Sequence, residues 1–275
     1  MKFVRKIVET HIWIALAGLS FFISGFVLLD GDIANIPLYY YSLIFLATLF
    51  AYRLSTGPTS LASLPYPALF RFRSGEGKEI MALSILLALH VFFLNLQEVF
   101  FFGVLGLLTV LYNLPERLRQ YRQLNLRSIP YLKIFIISFI WASISSFLPA
   151  FLIHGVFFEN RSFLLFSGHF AFIFSITLPF DIRDYHRDNK SDLRTIPGQI
   201  GLTATKIISA IFLTTSMAVL FTFLHNVIFV IGFDLIVLLL IFYSKPGRSK
   251  MYYTFWIDGT IILYFGVILL SNKWF

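Results

Sequence analysis

Apolar runs of the length needed to cross roughly 30 Å of hydrocarbon, about 20 residues at 1.5 Å each, recur along the whole chain between charged, Pro or Gly boundaries. They fall at 11–29, 37–54, 79–94, 97–113, 130–153, 162–180, 203–224, 227–243 and 252–270. The third and fourth are short and separated only by a polar Asn95-Leu96-Gln97-Glu98 hairpin. The pattern predicts an all-α polytopic bundle of nine membrane spans. No repeat, low-complexity tract or soluble linker interrupts it, so residues 1–275 read as a single transmembrane domain. The first run follows Lys2, Arg5 and Lys6 and could serve as a secretory signal. It exceeds the usual h-region, however, and no small-x-small cleavage site precedes Asp30, so it reads as a retained span.

Composition narrows the class. Hydrophobic residues make up 58% of the chain and charged residues 13%, against about 25% charged in soluble domains. An ordinary water-soluble protein is excluded. Aromatics reach 19%, with 34 Phe, a load suited to acyl chains and interfacial belts. There is no Cys, which removes disulfides, thiolate metal sites and a cysteine nucleophile.

The net charge of +8 would suit nucleic acid if it formed one basic face, but its placement reads as membrane orientation. With the N-terminus cytoplasmic, every Lys and Arg except Arg161 and Lys273 lies in an inner segment. The positive-inside rule then predicts an odd number of spans, the C-terminus outside, and a multi-pass protein of the cell (inner) membrane without a nucleic-acid partner. The longer inner loops 55–78, 114–129 and 181–202 hold most of the polar chemistry.

The densest of these begins Asp181-Ile182-Arg183-Asp184-Tyr185-His186-Arg187-Asp188 and continues to Asp192. If the sixth helix runs on that far, 100° per residue places Asp184 at about −60°, Asp188 at about −20° and Asp192 at about +20° from Asp181. The carboxylates share a face. Arg183, Arg187, Lys190 and Arg194 fall on the opposite one, between about 180° and 240°. Carboxylates at these spacings repel unless a cation sits among them. Magnesium, a hard ion that binds through carboxylates and substrate phosphates, suits the set. A solvated, salt-bridged helix end accounts for the same residues.

A second cluster, Tyr112-Asn113-Leu114-Pro115-Glu116-Arg117-Leu118-Arg119-Gln120-Tyr121-Arg122, ends the fourth run. Its guanidinium groups suit phosphate oxygens in a diphosphate clamp, and equally the anionic lipid at a membrane surface. Asp258, about two turns into the ninth run, is a candidate cavity-lining residue or the partner of an Arg. Asp234 receives no role. Gly75-Glu76-Gly77-Lys78 lacks the rest of a P-loop, the six His form no H-E-x-x-H pair, and no inverted repeat points to a transporter.

At these residues the chain resembles the UbiA superfamily of intramembrane prenyltransferases, all-helical proteins of nine spans. Asp181 through Asp188, followed by Arg194-Thr195-Ile196-Pro197 and Gly201, is similar to the family's second aspartate-rich motif and the T-L-P and Gly after it. Tyr112 to Arg119 is similar to the Tyr-plus-basic segment after the fourth span. The resemblance implies transfer of a polyprenyl group from a polyprenyl diphosphate to a hydrophobic acceptor, aromatic or lipid, at the cytoplasmic leaflet. It implies magnesium on Asp181, Asp184 and Asp188, diphosphate contacts from Tyr112, Arg117 and Arg119, and Asp184, Asp188 and Arg117 as catalytic residues. Asp192 would close the motif.

One departure stands out. The family's first motif, N-D-x-x-D-x-x-x-D, belongs at the end of the second span, where this chain reads Ala51-Tyr52-Arg53-Leu54-Ser55-Thr56-Gly57-Pro58. No Asp or Glu occurs between Ile33 and Gly75. Arg53, Arg71 or Arg73 would there set positive charge directly against a diphosphate. A relative that binds isoprenoid or lipid without catalysis is the alternative expectation.

Overall fold

The structure, a computed structural model, describes residues 2–56, 75–112, 131–190, 195–224 and 226–273. Their regular structure is entirely helical, with no strand among the described residues. The helices are α1 (Lys2–Glu9), α2 (Ile12–Leu28), α3 (Leu38–Thr56), α4 (Gly75–His90), α5 (Leu96–Tyr112), α6 (Leu132–His154), α7 (Asn160–Lys190), α8 (Ile196–Ile200), α9 (Leu202–Leu220), α10 (Val227–Phe242) and α11 (Asp258–Lys273), the last preceded by a π-helical segment, Tyr252–Ile257. Each apolar run read from the sequence is a helix here, with shifted ends. Four helices are long and apolar enough to cross a membrane: α6, α7, α9 and the continuous Tyr252–Ser271 stretch. Shorter apolar helices are α2, α5 and α10.

Contacts divide the chain into two units, residues 1–36 with 134–275, and residues 37–133. In the larger unit α7 packs along α9 and α2 along α11. Hydrocarbon supplies no hydrophobic drive between helices, so small residues and interhelical hydrogen bonds take over. Gly25 illustrates the first device: a Cβ there would stand 1.6 Å from the Ser145 carbonyl oxygen, so α2 approaches the α6 backbone only without a side chain. Ser209 shows the second, its hydroxyl donating to the Ser175 carbonyl across α9 and α7 at 2.6 Å. At the centre the fully buried His169 sets Nδ1 2.8 Å from Ser145 Oγ and 3.0 Å from Ser146 Oγ, under the rings of Phe21 and Tyr264.

In the smaller unit the polar stretch between the third and fourth runs opens α5, with Asn95 ahead of it and Glu98 in its first turn. Asn95 N–H donates to Glu98 Oε2 and Glu98 N–H donates to Asn95 Oδ1, a reciprocal cap on α5. Glu98 is 3% exposed, because its other oxygen accepts from the Tyr40 hydroxyl of α3. A charged residue enters this core once its acceptor capacity is filled.

Candidate functional site

Helix α7 is long enough to carry its sequence past the apolar stretch and through the aspartates. Pro179 lies inside it without ending it, and Asp181, Asp184 and Asp188 all sit on continuous helix. Their common face turns inward, with Asp181 3% and Asp188 5% exposed. The predicted segregation of acids from bases does not hold. Arg183 donates from Nε and Nη2 to the two oxygens of Asp184, each at 2.9 Å, and Arg187 Nη2 reaches the same carboxylate at 2.9 Å. Arg187 Nε also lies 3.5 Å from Asp188. A helical wheel locates Cβ atoms, whereas the three-carbon stem of Arg carries its charge round the helix to the nearest carboxylate.

Arg183 is also met by the π segment. Its guanidinium carbon lies 5.2 Å from the Phe180 ring centroid and 5.5 Å from that of Tyr253. Asp258, which the sequence offered as either a cavity residue or an Arg partner, opens α11 directly after the π segment. Tyr253 was not singled out from the sequence. Tyr252 and Tyr253 are both buried in the π-helical segment 252–257.

The Thr195-Ile196-Pro197 segment forms the one-turn helix α8, with Pro197 in its first turn. At Gly198 an added Cβ would lie 3.1 Å from Asn189 Oδ1, so the missing side chain lets α8 fold back on the end of α7. Gly201, with φ +83°, turns the chain into α9.

Arg53 and Tyr112 belong to the other unit. Arg53 Nη2 lies 3.4 Å from Glu79 Oε2, tying α3 to α4, and Tyr112 is the half-buried last residue of α5. Arg71, Arg73, Arg117, Arg119, Arg122, Asp192 and Arg194 lie outside the described residues.

Magnesium requires several oxygen ligands around one point. Both oxygens of Asp184 are engaged by guanidinium groups, and among the described residues no three acidic or histidine side chains converge as a metal-holding group. In this arrangement the described side chains do not fit a magnesium ion. An apolar groove of about 530 Å³ lies between α6, α7 and α9, lined by Phe139, Phe166, Phe170, Ile211, Phe212 and Thr215. Phe170 is eleven residues before Asp181, about 16 Å along a helix axis, so the groove is separate from the aspartates.

No protein-family model matches the chain, and no curated protein matches it in sequence. Two solved structures match its fold. A digeranylgeranylglyceryl phosphate synthase has 14% identity and a TM-score of 0.54, over 98% of this chain and 97% of that one. A UbiA homologue from Archaeoglobus fulgidus, bound to GPP and Mg2+, has 11% identity and a TM-score of 0.53, over 98% of each chain. At such identity the likeness establishes the fold: this chain shares the fold of the UbiA homologue and of the synthase along almost its whole length, as its motifs led one to expect.

Proposed function

We propose that this protein is a divergent UbiA-like membrane prenyltransferase, moving a polyprenyl group from a polyprenyl diphosphate onto a hydrophobic acceptor, aromatic or lipid, at the cytoplasmic leaflet. The observation that carries the reading is the aspartate-rich end of α7, intact at Asp181, Asp184 and Asp188, in a chain that matches the fold of two such proteins end to end. The remaining assignments belong to the same proposal: one domain of nine spans, the N-terminus cytoplasmic and the C-terminus outside, in the cell membrane.

In this reading Arg117 and Arg119, with Tyr112 and Arg53, hold the diphosphate oxygens and stabilise the departing pyrophosphate, since planar guanidinium donors match those oxygens two at a time. Aromatic faces shelter the allylic cation that remains. Asp184 and Asp188 orient Arg183 and Arg187 at the end of α7. Magnesium accompanies GPP in the Archaeoglobus protein, whereas Asp181, Asp184 and Asp188 as arranged here do not fit that ion, so no part of the proposal runs through it.

The test is pyrophosphate release by purified, folded protein supplied with magnesium, polyprenyl diphosphates of several lengths and both aromatic and lipid acceptors. Turnover that disappears in Asp184→Asn supports transfer. No release from any donor, with folding verified, overturns it. A second reading, isoprenoid binding without transfer, is favoured by the absence of acidic residues between Ile33 and Gly75 and by the two arginines on Asp184. It predicts diphosphate affinity unchanged by chelation and no release of pyrophosphate.

A further inference from the structure

Lys206, Lys245, Arg248 and Lys250 gather where α9, α10 and the π segment meet. No Asp or Glu lies between Asp234 and Asp258, and among the described residues none of the four forms an ion pair. A mere juxtamembrane charge run would hang loosely. This one is built into a fixed turn. The Tyr253 hydroxyl donates to the Lys245 carbonyl at 2.7 Å and accepts from the Lys245 N–H at 3.1 Å, so one side chain clamps both backbone groups of that residue. Arg248 Nη1 donates to the Tyr243 carbonyl at 2.6 Å, with its guanidinium carbon 4.0 Å above the Tyr252 ring. Lys206 Nζ donates to the Phe242 carbonyl at 2.7 Å. The last carbonyls of α10 are thereby capped by cations from two directions, and Gly247, at φ +75°, closes the turn after Pro246.

Lys245 and Lys250 remain exposed on this held backbone. Beside them the surface is greasy: Ile207 follows Lys206 on α9, Leu239 lies one turn before Tyr243 on α10, and both are exposed, as is Phe242. Tyr243 and Trp256, 64% and 59% exposed, are the amphipathic rings that settle at a headgroup boundary. Fixed positive charge directly continuous with a lipid-facing apolar surface matches an amphiphile with an anionic head.

We propose that the 243–251 turn is a binding site for an anionic phospholipid, its phosphate received by Lys245 and Lys250 in the field of Arg248 and Lys206, its acyl chains lying along Ile207, Leu239 and Phe242. A pre-set backbone lowers the ordering cost of binding, which distinguishes a site from a diffuse attraction. The proposal does not rest on prenyl transfer.

The test uses the full chain in a neutral detergent, following its unfolding temperature against added phosphatidylglycerol, phosphatidylcholine or inorganic phosphate. Phosphatidylglycerol should raise it saturably, the other two should not. Lys245→Gln and Lys250→Gln should each weaken the phosphatidylglycerol response about fivefold, the effect of losing one lysine at an anionic surface, and together about 25-fold. Unchanged behaviour in phosphatidylcholine shows the variants fold, and the single variants carry the test if the double one does not. An equal response to inorganic phosphate or phosphatidylcholine, or an undiminished phosphatidylglycerol response in the lysine variants, overturns the proposal.

Discussion

Arg183 grips its own sequence neighbour, Asp184, through two parallel hydrogen bonds of 2.9 Å, while the rings of Phe180 and Tyr253 flank the same guanidinium. The fork makes Asp184 the hub of the α7 end, since Arg187 meets it too. Asp184→Asn keeps the shape but removes the charge that two arginines share. It should cost about 2 kcal/mol, the usual loss for a hydrogen bond to an ionised partner. Arg187→Ala, at an exposed side chain, should cost under about 1 kcal/mol. Denaturant titration of the detergent-solubilised variants separates them. Equal losses would show that the fork adds nothing.

Gly25→Ala tests the approach of α2 to α6. A Cβ placed 1.6 Å from the Ser145 oxygen forces the helices apart, an overpacking cost of about 1–3 kcal/mol. Gly232→Ala in α10, where a Cβ meets nothing within 4 Å, should instead be neutral or stabilising by up to about 1 kcal/mol. Thermal unfolding of the pair side by side reads the difference.

His169 has two serine partners at one nitrogen, so each covers for the other. Ser145→Ala or Ser146→Ala alone should cost about 0.5 kcal/mol or less. The double variant strands a buried imidazole nitrogen and should lose about 1–3 kcal/mol, more than the sum. A double-mutant cycle on unfolding free energies measures that excess, and additivity would refute the shared role.

Glu98→Ala removes both the acceptor for the buried Tyr40 hydroxyl and half of the reciprocal cap with Asn95. The lost cap and the lost hydrogen bond to an ionised acceptor together predict about 2–4 kcal/mol. Hydrogen exchange should show the α5 N-terminus opening in Glu98→Ala, with much smaller change in Glu98→Gln, which keeps an acceptor.

Much of the helical pattern was legible because a membrane span must satisfy its own backbone hydrogen bonds, which leaves long apolar runs as their own evidence. The aspartate face was legible too, since α7 continues to Lys190 and buries Asp181 and Asp188. The arginines were misplaced because the wheel has no reach in it. The Asn95-x-x-Glu98 spacing carried a readable capping signal that the reading as a polar hairpin passed over. Tyr253 carried none.

The amino-acid order alone determined an all-helical membrane chain, the approximate places of its apolar helices, and an acidic face at the end of one of them, because burial in lipid and helical periodicity are local constraints. Tertiary structure decided which charges meet. Arg183 and Arg187 on Asp184, and Tyr253 joining Arg183 to the backbone of Lys245, depend on side-chain reach or on contacts between residues distant in sequence. Electrostatic and hydrogen-bond energies turn on ångströms in three dimensions, which residue spacing does not specify.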